Sequence, residues 1–242
     1  MICGRGKTGD GRSSYSGLAA VVPCYNAGDR VRGVVAELAA LLEHVFVVDD
    51  GSTDGAVADL RDFPAEIITF PENRGKGHAM LEGFRAALAI PAVRCVAILD
   101  ADGQHDPAEL GRLYRAFEDN DADLVIGSRV FDQQHVPWRS RFGNKLTIAV
   151  TARLLGQRIP DTQSGYRLHS RRLLENVVAT LTGGRYETEM AILVKALQED
   201  YTVVPVPIQT IYEKGNPSSH FNNLRDSLRI YSSLFHGAFR RK

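Results

Sequence analysis

The chain has 242 residues, 44% hydrophobic and 24% charged, enough to bury the core of one large α/β domain or of one domain with an appendage. Its 29 basic and 29 acidic residues cancel, so no global field points to nucleic acid and any electrostatic specialisation has to be local. Cys3, Cys24 and Cys95 are odd in number and lack CxxC spacing, which excludes a disulfide frame or a zinc site and fits reduced thiols in a cytoplasmic protein.

Residues 1–17, MICGRGKTGDGRSSYSG, carry no apolar signal core. Gly4, Gly6 and Gly9 match GxGxxG formally, but the dinucleotide site needs a strand before them and a helix after. Neither is present, so this stretch is expected to be a disordered leader. No apolar run approaches the roughly 18 residues of a membrane span.

From residue 18 strand and helix patterns alternate. LAAVVPCY (18–25), VFVVDD (45–50), EIITF (66–70), VRCVAILD (93–100) and ADLVIG (122–127) are short, β-branched and almost continuously apolar, like central parallel strands. Val31, Val34, Val35, Leu38, Leu41 and Leu42 share one helical face, and residues 75–89 and 107–118 can do the same. The alternation predicts an α/β fold: a Rossmann-like, doubly wound, mostly parallel sheet flanked by helices. Ligands of such sheets bind beyond the carboxyl ends of the strands, and each of those ends carries a polar motif here.

After the first strand comes PCYNAGD, where the ring of Tyr25 is placed to lie against a base. DDGSTD follows the second; a turn with Thr53 or Asp54 as helix cap accounts for it equally. After the third, the glycines of NRGKG (73–77) permit close backbone approach, and Lys76 with the helix N-terminus favours an anion. The spacing is not that of a Walker A loop. DADGQHD ends the fourth strand. Asp100 and Asp102 lie two apart, so an extended backbone puts both carboxylates on one side with Gln104 two further on, a hard-oxygen set suited to Mg²⁺ or Mn²⁺. A calcium loop fails on register, because His105 stands where glycine is needed and Gly111 where glutamate is needed. Asp106 is expected to cap the helix opened by Pro107. GSR follows the fifth strand.

Further on, no acidic residue lies between Asp132 and Asp161, while Arg139, Arg141, Lys145, Arg153 and Arg158 alternate with Leu146, Ile148, Val150, Leu154 and Leu155. Such a basic amphipathic segment suits an anionic membrane interface, or a helix packed on the domain with solvated charges. In DTQSGYR, Asp161 and Arg167 are candidates for contact with sugar or phosphate, and a turn built on Ser164–Gly165 is an equally simple account. Glu187 and Glu189 in RYETEM are about 200° apart on a helix, so only one of them faces a given site. VVPVPIQTIYEKGNPSSHF reads as a final strand and a loop whose Lys214, Ser219 and His220 can close over phosphates and exclude water. Residues 223–242 are expected to form a basic amphipathic helix, packed on the domain or on the membrane, with Leu228, Tyr231, Leu234, Phe235 and Ala238 on one ridge.

Taken in order, PCYN, VVDDGSTD, NRGKGHAMLEGFRAA, ILDADGQHDP, VIGSR and DTQSGYR resemble the inverting family 2 glycosyltransferases, specifically the polyprenyl-phosphate and dolichol-phosphate sugar synthases. The resemblance covers about residues 18–222 and implies a GT-A domain, a nucleotide-sugar donor and a divalent metal, Mg²⁺ or Mn²⁺. By position, Asp100, Asp102 and Gln104 match the metal ligands, while Pro23, Tyr25, Asp49 or Asp50, Asn73 and Lys76 match the nucleotide pocket. Arg129 and Arg139 match basic residues near the phosphates of donor or acceptor, and Glu189 lies nearer the position of a catalytic carboxylate. Ala27 departs from the family, which usually has Glu after PxYN.

The implied activity is metal-dependent transfer of a hexose from a GDP- or UDP-linked sugar to a polyprenyl phosphate. Localisation is expected to be cytoplasmic and peripheral, against the inner membrane face or a separate membrane subunit. Asp102 and Arg129 would serve the departing diphosphate. An acceptor hydroxyl on a glycan or lipid, the alternative, requires Glu189 as base, whereas a phosphate is already an anion. Two further readings are a non-catalytic nucleotide-sugar sensor and a phospho-receiver module built on VVDD.

Overall fold

The computed structural model describes residues 15–129, 159–185 and 187–209. Its strands are β1 (Leu18–Cys24), β2 (His44–Asp49), β3 (Glu66–Thr69), β4 (Cys95–Ile98), β5 (Leu124–Arg129), β6 (Arg167–Ser170) and β7 (Val203–Ile208). The helices are α1 (Arg30–Leu41), α2 (Lys76–Leu88), α3 (Leu110–Asn120), α4 (Arg171–Thr180) and α5 (Glu187–Gln198).

The strands form one sheet in the order β3-β2-β1-β4-β6-β5-β7, in which β6 alone among the described strands runs against its neighbours. The doubly wound, mostly parallel expectation therefore holds. The chain winds outward through β1, β2 and β3, then crosses back to place β4 on the other side of β1. That reversal opens a crevice at the carboxyl ends of β1 and β4, where ligands of such sheets bind.

Both faces of the sheet's central part are covered, which is why β1, β2, β4 and β5 read as unbroken apolar runs. Ala19 and Val21 of β1 join Met80 and Phe84 of α2, Leu173 and Val177 of α4, and Ile192 and Leu193 of α5. Leu18, Ala20 and Val22 face the other way, onto Val31, Val35 and Leu38 of α1 and Leu110 and Leu113 of α3. Each such side chain, when fully buried, contributes roughly 1.5–3 kcal/mol relative to exposure. Cys24 and Cys95 are free and buried. Burial, before any neighbouring charge, pushes both thiols up to about 12, so they stay protonated core fillers.

The expected helix over 107–118 begins as a 3-10 turn, Pro107–Glu109, before α3. Asp106 caps that turn as anticipated, its carboxylate accepting the Ala108 amide at 2.8 Å. Tyr15 and Gly17, assigned in sequence to the leader, engage the domain: Tyr15 meets Tyr114 edge-on at 5.4 Å, and Gly17 O accepts the Arg94 amide at 2.7 Å.

Candidate functional site

The loops after β1 and β2 are stitched together. Asn26, at φ 48°, accepts the Thr53 amide on its side-chain oxygen at 2.8 Å, while its own amide donates to Ser52 Oγ at 3.0 Å. Asp54 accepts the amides of Gly28 at 2.8 Å and Ala56 at 3.1 Å, so it ties a turn and the neighbouring loop. Beside them Tyr25 presents its ring at the surface, 38% exposed, next to the buried Pro23.

The two aspartates of VVDDG have separate tasks. Asp50 is 2% exposed and accepts the amides of Arg74 at 2.7 Å and Gly75 at 2.8 Å, one on each oxygen. It was expected in the nucleotide pocket, yet both its oxygens are spent on fixing the loop that presents Asn73 and Lys76. Asp49, which closes the Ser52 turn at 2.9 Å, lines a cleft of about 460 Å³ with Arg61 and Thr69. Of the pair, Asp49, itself only 5% exposed, is the one that borders this cleft.

The centre of the site is an ion triad drawn from three elements. Lys76 opens α2, and its ammonium lies 2.5 Å from Asp100 Oδ1 at the end of β4 and 3.0 Å from Glu189 Oε1 in the first turn of α5. Burial alone would raise the Asp100 carboxyl and lower the Lys76 ammonium. Their mutual attraction outweighs it, holding Asp100 well below and Lys76 well above their ordinary values. His105 Nε2 faces the other Asp100 oxygen at 3.7 Å, and the backbone of Gly165 closes in from the DTQSGYR loop.

Asp102 and Gln104 follow on the same partly exposed turn, with the Gln104 amide donating to Asp102 Oδ1 at 3.0 Å. Burial and then the Asp100 charge raise the Asp102 carboxyl, as expected of two carboxylates crowded together. Among the described residues no three His, Cys, Asp or Glu side chains make a ready metal cage. Mg²⁺ does not require one, since it binds through one or two carboxylates and completes its shell with water and substrate phosphate. The crowded, partly exposed pair at Asp100 and Asp102 fits such an ion.

Arg129 and Asp161 form a second pair. The Arg129 guanidinium grips the fully buried Asp161 bidentately, at 2.6 and 3.0 Å. Arg167, expected to touch sugar or phosphate, is 1% exposed and donates to the carbonyls of Thr162, Ser164 and Glu189. Both Asp161 and Arg167 therefore brace the DTQSGYR loop from within. Arg139, Lys214, Ser219 and His220, the basic segment from 130 to 158 and the C-terminal stretch lie outside the described residues.

Two participants carry no site role that the sequence alone assigns. His105 escaped notice because its role depends on lying behind Asp100. Gly165 was read as a turn residue, when its lack of a side chain is what admits the Asp100–Lys76 pair.

Residues 19–178 match the model of glycosyl transferase family 2. Polyprenol monophosphomannose synthase of Mycolicibacterium smegmatis is 33% identical, over 86% of this chain and 83% of that protein. A UDP-N-acetylglucosamine–dolichyl-phosphate N-acetylglucosaminyltransferase of Methanococcus voltae is 28% identical, over 79% of this chain and 84% of that protein. Among solved structures, glucosyl-3-phosphoglycerate synthase from Mycobacterium tuberculosis, in complex with Mn²⁺, UDP and glucosyl-3-phosphoglycerate, superposes with a TM-score of 0.71 at 18% identity. That likeness covers 95% of this chain and 81% of that one, and it establishes the shared GT-A-type fold.

Proposed function

The chain belongs to glycosyl transferase family 2 and is a glycosyltransferase, and on that premise we propose that it moves a hexose from a nucleotide-diphosphate sugar to a polyprenyl phosphate, with inversion and a divalent ion. The observation that carries the reading is the convergence of Lys76, Asp100 and Glu189 beside the partly exposed Asp102, at the carboxyl end of β4.

Departure of a nucleoside diphosphate builds negative charge on its phosphates. Lys76, pre-aimed by α2, is the cation placed to meet that charge. Asp100, Asp102 and Gln104 would hold Mg²⁺ or Mn²⁺, which supplies Lewis-acid stabilisation of the same leaving group. The M. tuberculosis neighbour of the same fold, solved with Mn²⁺ and UDP, supports the use of a divalent ion. Tyr25 and the Asp49 cleft are proposed to receive the nucleoside.

A phosphate acceptor arrives already ionised and needs positioning, not deprotonation. Glu189 fits this, because its Oε1 is occupied by Lys76 and not presented to an incoming hydroxyl. The names of the M. voltae and M. smegmatis relatives, a dolichyl-phosphate transferase and a polyprenol monophosphomannose synthase, support a lipid phosphate. Among the described residues no helix is long and apolar enough to cross a membrane. The basic segment around Arg139 and the stretch from 223 onward are proposed to approach the lipid from the cytoplasmic face, and His220 to close over the phosphates.

Incubating the protein with Mn²⁺, a panel of GDP- and UDP-hexoses and a short polyprenyl phosphate is expected to give a glycosyl-phosphoryl lipid only when the metal is present. Transfer to hydroxyl acceptors alone, or undiminished transfer in a chelator, would overturn the proposal.

A further inference from the structure

Asp100, the carboxylate best placed at the strand end for a divalent ion, already has a cation. Lys76 Nζ sits 2.5 Å from its Oδ1, and Glu189 holds the same ammonium at 3.0 Å. The Lys76 side chain is only 16% exposed, so water screens the contact little. The remaining approaches to Asp100 are also narrowed, by His105 at 3.7 Å and by the Gly165 backbone. Asp102, by contrast, pairs with no cation among the described residues.

From this geometry we infer that Lys76 stands in for the divalent ion at Asp100, so that the chain takes up its metal together with the nucleotide diphosphate and not ahead of it. The inference rests on the donor reading above. A divalent ion arriving alone meets the fixed charge of Lys76 within a few ångströms, in a poorly screened place. A diphosphate brings the negative charge that both cations can share, and Lys76 can then turn from Asp100 toward phosphate. Metal and nucleotide thereby help each other to bind, by the same factor in each direction. Glu189 is a positioning residue here, keeping Lys76 on station.

The test measures Mn²⁺ binding directly, from the electron paramagnetic resonance signal of the free ion, with and without GDP or UDP. Wild-type protein is expected to bind Mn²⁺ alone about tenfold or more weakly than in the presence of the matching nucleotide. Lys76→Met should bind Mn²⁺ alone about tenfold more tightly than wild type and gain less from nucleotide. Lys76→Arg, which keeps the charge, should behave like wild type. Arg74→Met removes an equal charge nearby, from a side chain lying over Phe70, and should shift Mn²⁺ affinity by no more than about twofold. The inference falls if Lys76→Met binds Mn²⁺ alone no more tightly than wild type, or if Arg74→Met matches its gain. Should Lys76→Met fail to fold, equal Mn²⁺ affinity of wild type with and without nucleotide overturns it as well. Mn²⁺ that binds to none of the proteins, even with either nucleotide, sinks the donor reading too; nucleotide-dependent binding without the Lys76→Met gain sinks this inference alone.

Discussion

Gly165 lies against Asp100 so closely that a β-carbon built on it would run into the carboxylate and stand 3.1 Å from Lys76 Nζ. Its backbone is not among those with positive φ, so the need for glycine there is spatial. Gly165→Ala is therefore expected to fold, with a melting temperature within a few degrees of wild type, while the Asp100–Lys76 contact is pushed apart. A misplacement of about 1 Å at a reacting centre costs about 100-fold in rate. Steady-state transfer assays check this, and activity within twofold of wild type would show that the close approach is unimportant.

Asp50 should matter to the fold more than to chemistry. Asp50→Ala leaves the amides of Arg74 and Gly75 without their acceptors in a buried place, a loss of about 2–3 kcal/mol for such groups. For a domain of this size that corresponds to a melting temperature lower by roughly 4–12 °C. Because the same loop presents Lys76, KM for the donor should rise as well. Asp49→Ala, at the cleft, removes the acceptor of one amide where Asp50→Ala removes the acceptor of two, and is expected to raise the donor KM with a smaller change in melting temperature.

The contrast between these neighbours shows what a sequence can reveal. VVDDG announces two carboxylates at a strand end, but which of them meets ligand depends on where the loop of residues 73–76 comes to rest. Lys76 and Glu189 are 113 positions apart, and no local pattern joins them. The strands β1, β2, β4 and β5 were legible because burial on both faces demands unbroken apolar runs, and the half-exposed edge strand β3 through its β-branched Ile67, Ile68 and Thr69. The strand β6 was not, because RLHS buries an arginine and a histidine whose cost is met by tertiary partners: Arg167 by three carbonyls, His169 in part by Val96 O. Asp106 was legible as a cap because capping is local. Arg167 was misread for the opposite reason, since its exposure is set by residues far along the chain.

The Arg129–Asp161 pair carries a pH signature. Burial would raise the Asp161 carboxyl, but the hydrogen bonds and charge of Arg129 outweigh it and hold the group below its ordinary value. A carboxyl depressed on folding stabilises the native state above its unfolded value, about 3.9, and loses that contribution as pH falls through the lower folded value. Asp161→Asn should therefore melt below wild type at pH 6–7, by an amount equivalent to about 1.5–3 kcal/mol, because an amide cannot keep the charge-assisted, bidentate contact with Arg129. The gap should narrow below about pH 4. Melting curves across that range decide the matter; a gap independent of pH would assign the loss to packing.

Glu189→Gln separates the two acceptor chemistries. If Glu189 removes a proton from an acceptor hydroxyl, an amide cannot replace it, and the rate should fall by the 10²–10⁴ that general bases contribute. If its task is to hold Lys76, glutamine keeps a carbonyl oxygen able to accept from the ammonium at the position now 3.0 Å away. Turnover with a polyprenyl phosphate is then expected to stay within about tenfold of wild type, because a neutral acceptor weakens a charge-assisted hydrogen bond without abolishing it. Glu189→Ala should be worse than Glu189→Gln under this account, since it frees the ammonium to wander. Under the base account the two variants should be equally inactive. Measuring kcat for both, with the lipid phosphate in excess, therefore distinguishes a positioning carboxylate from a proton acceptor by their order and not only by their size.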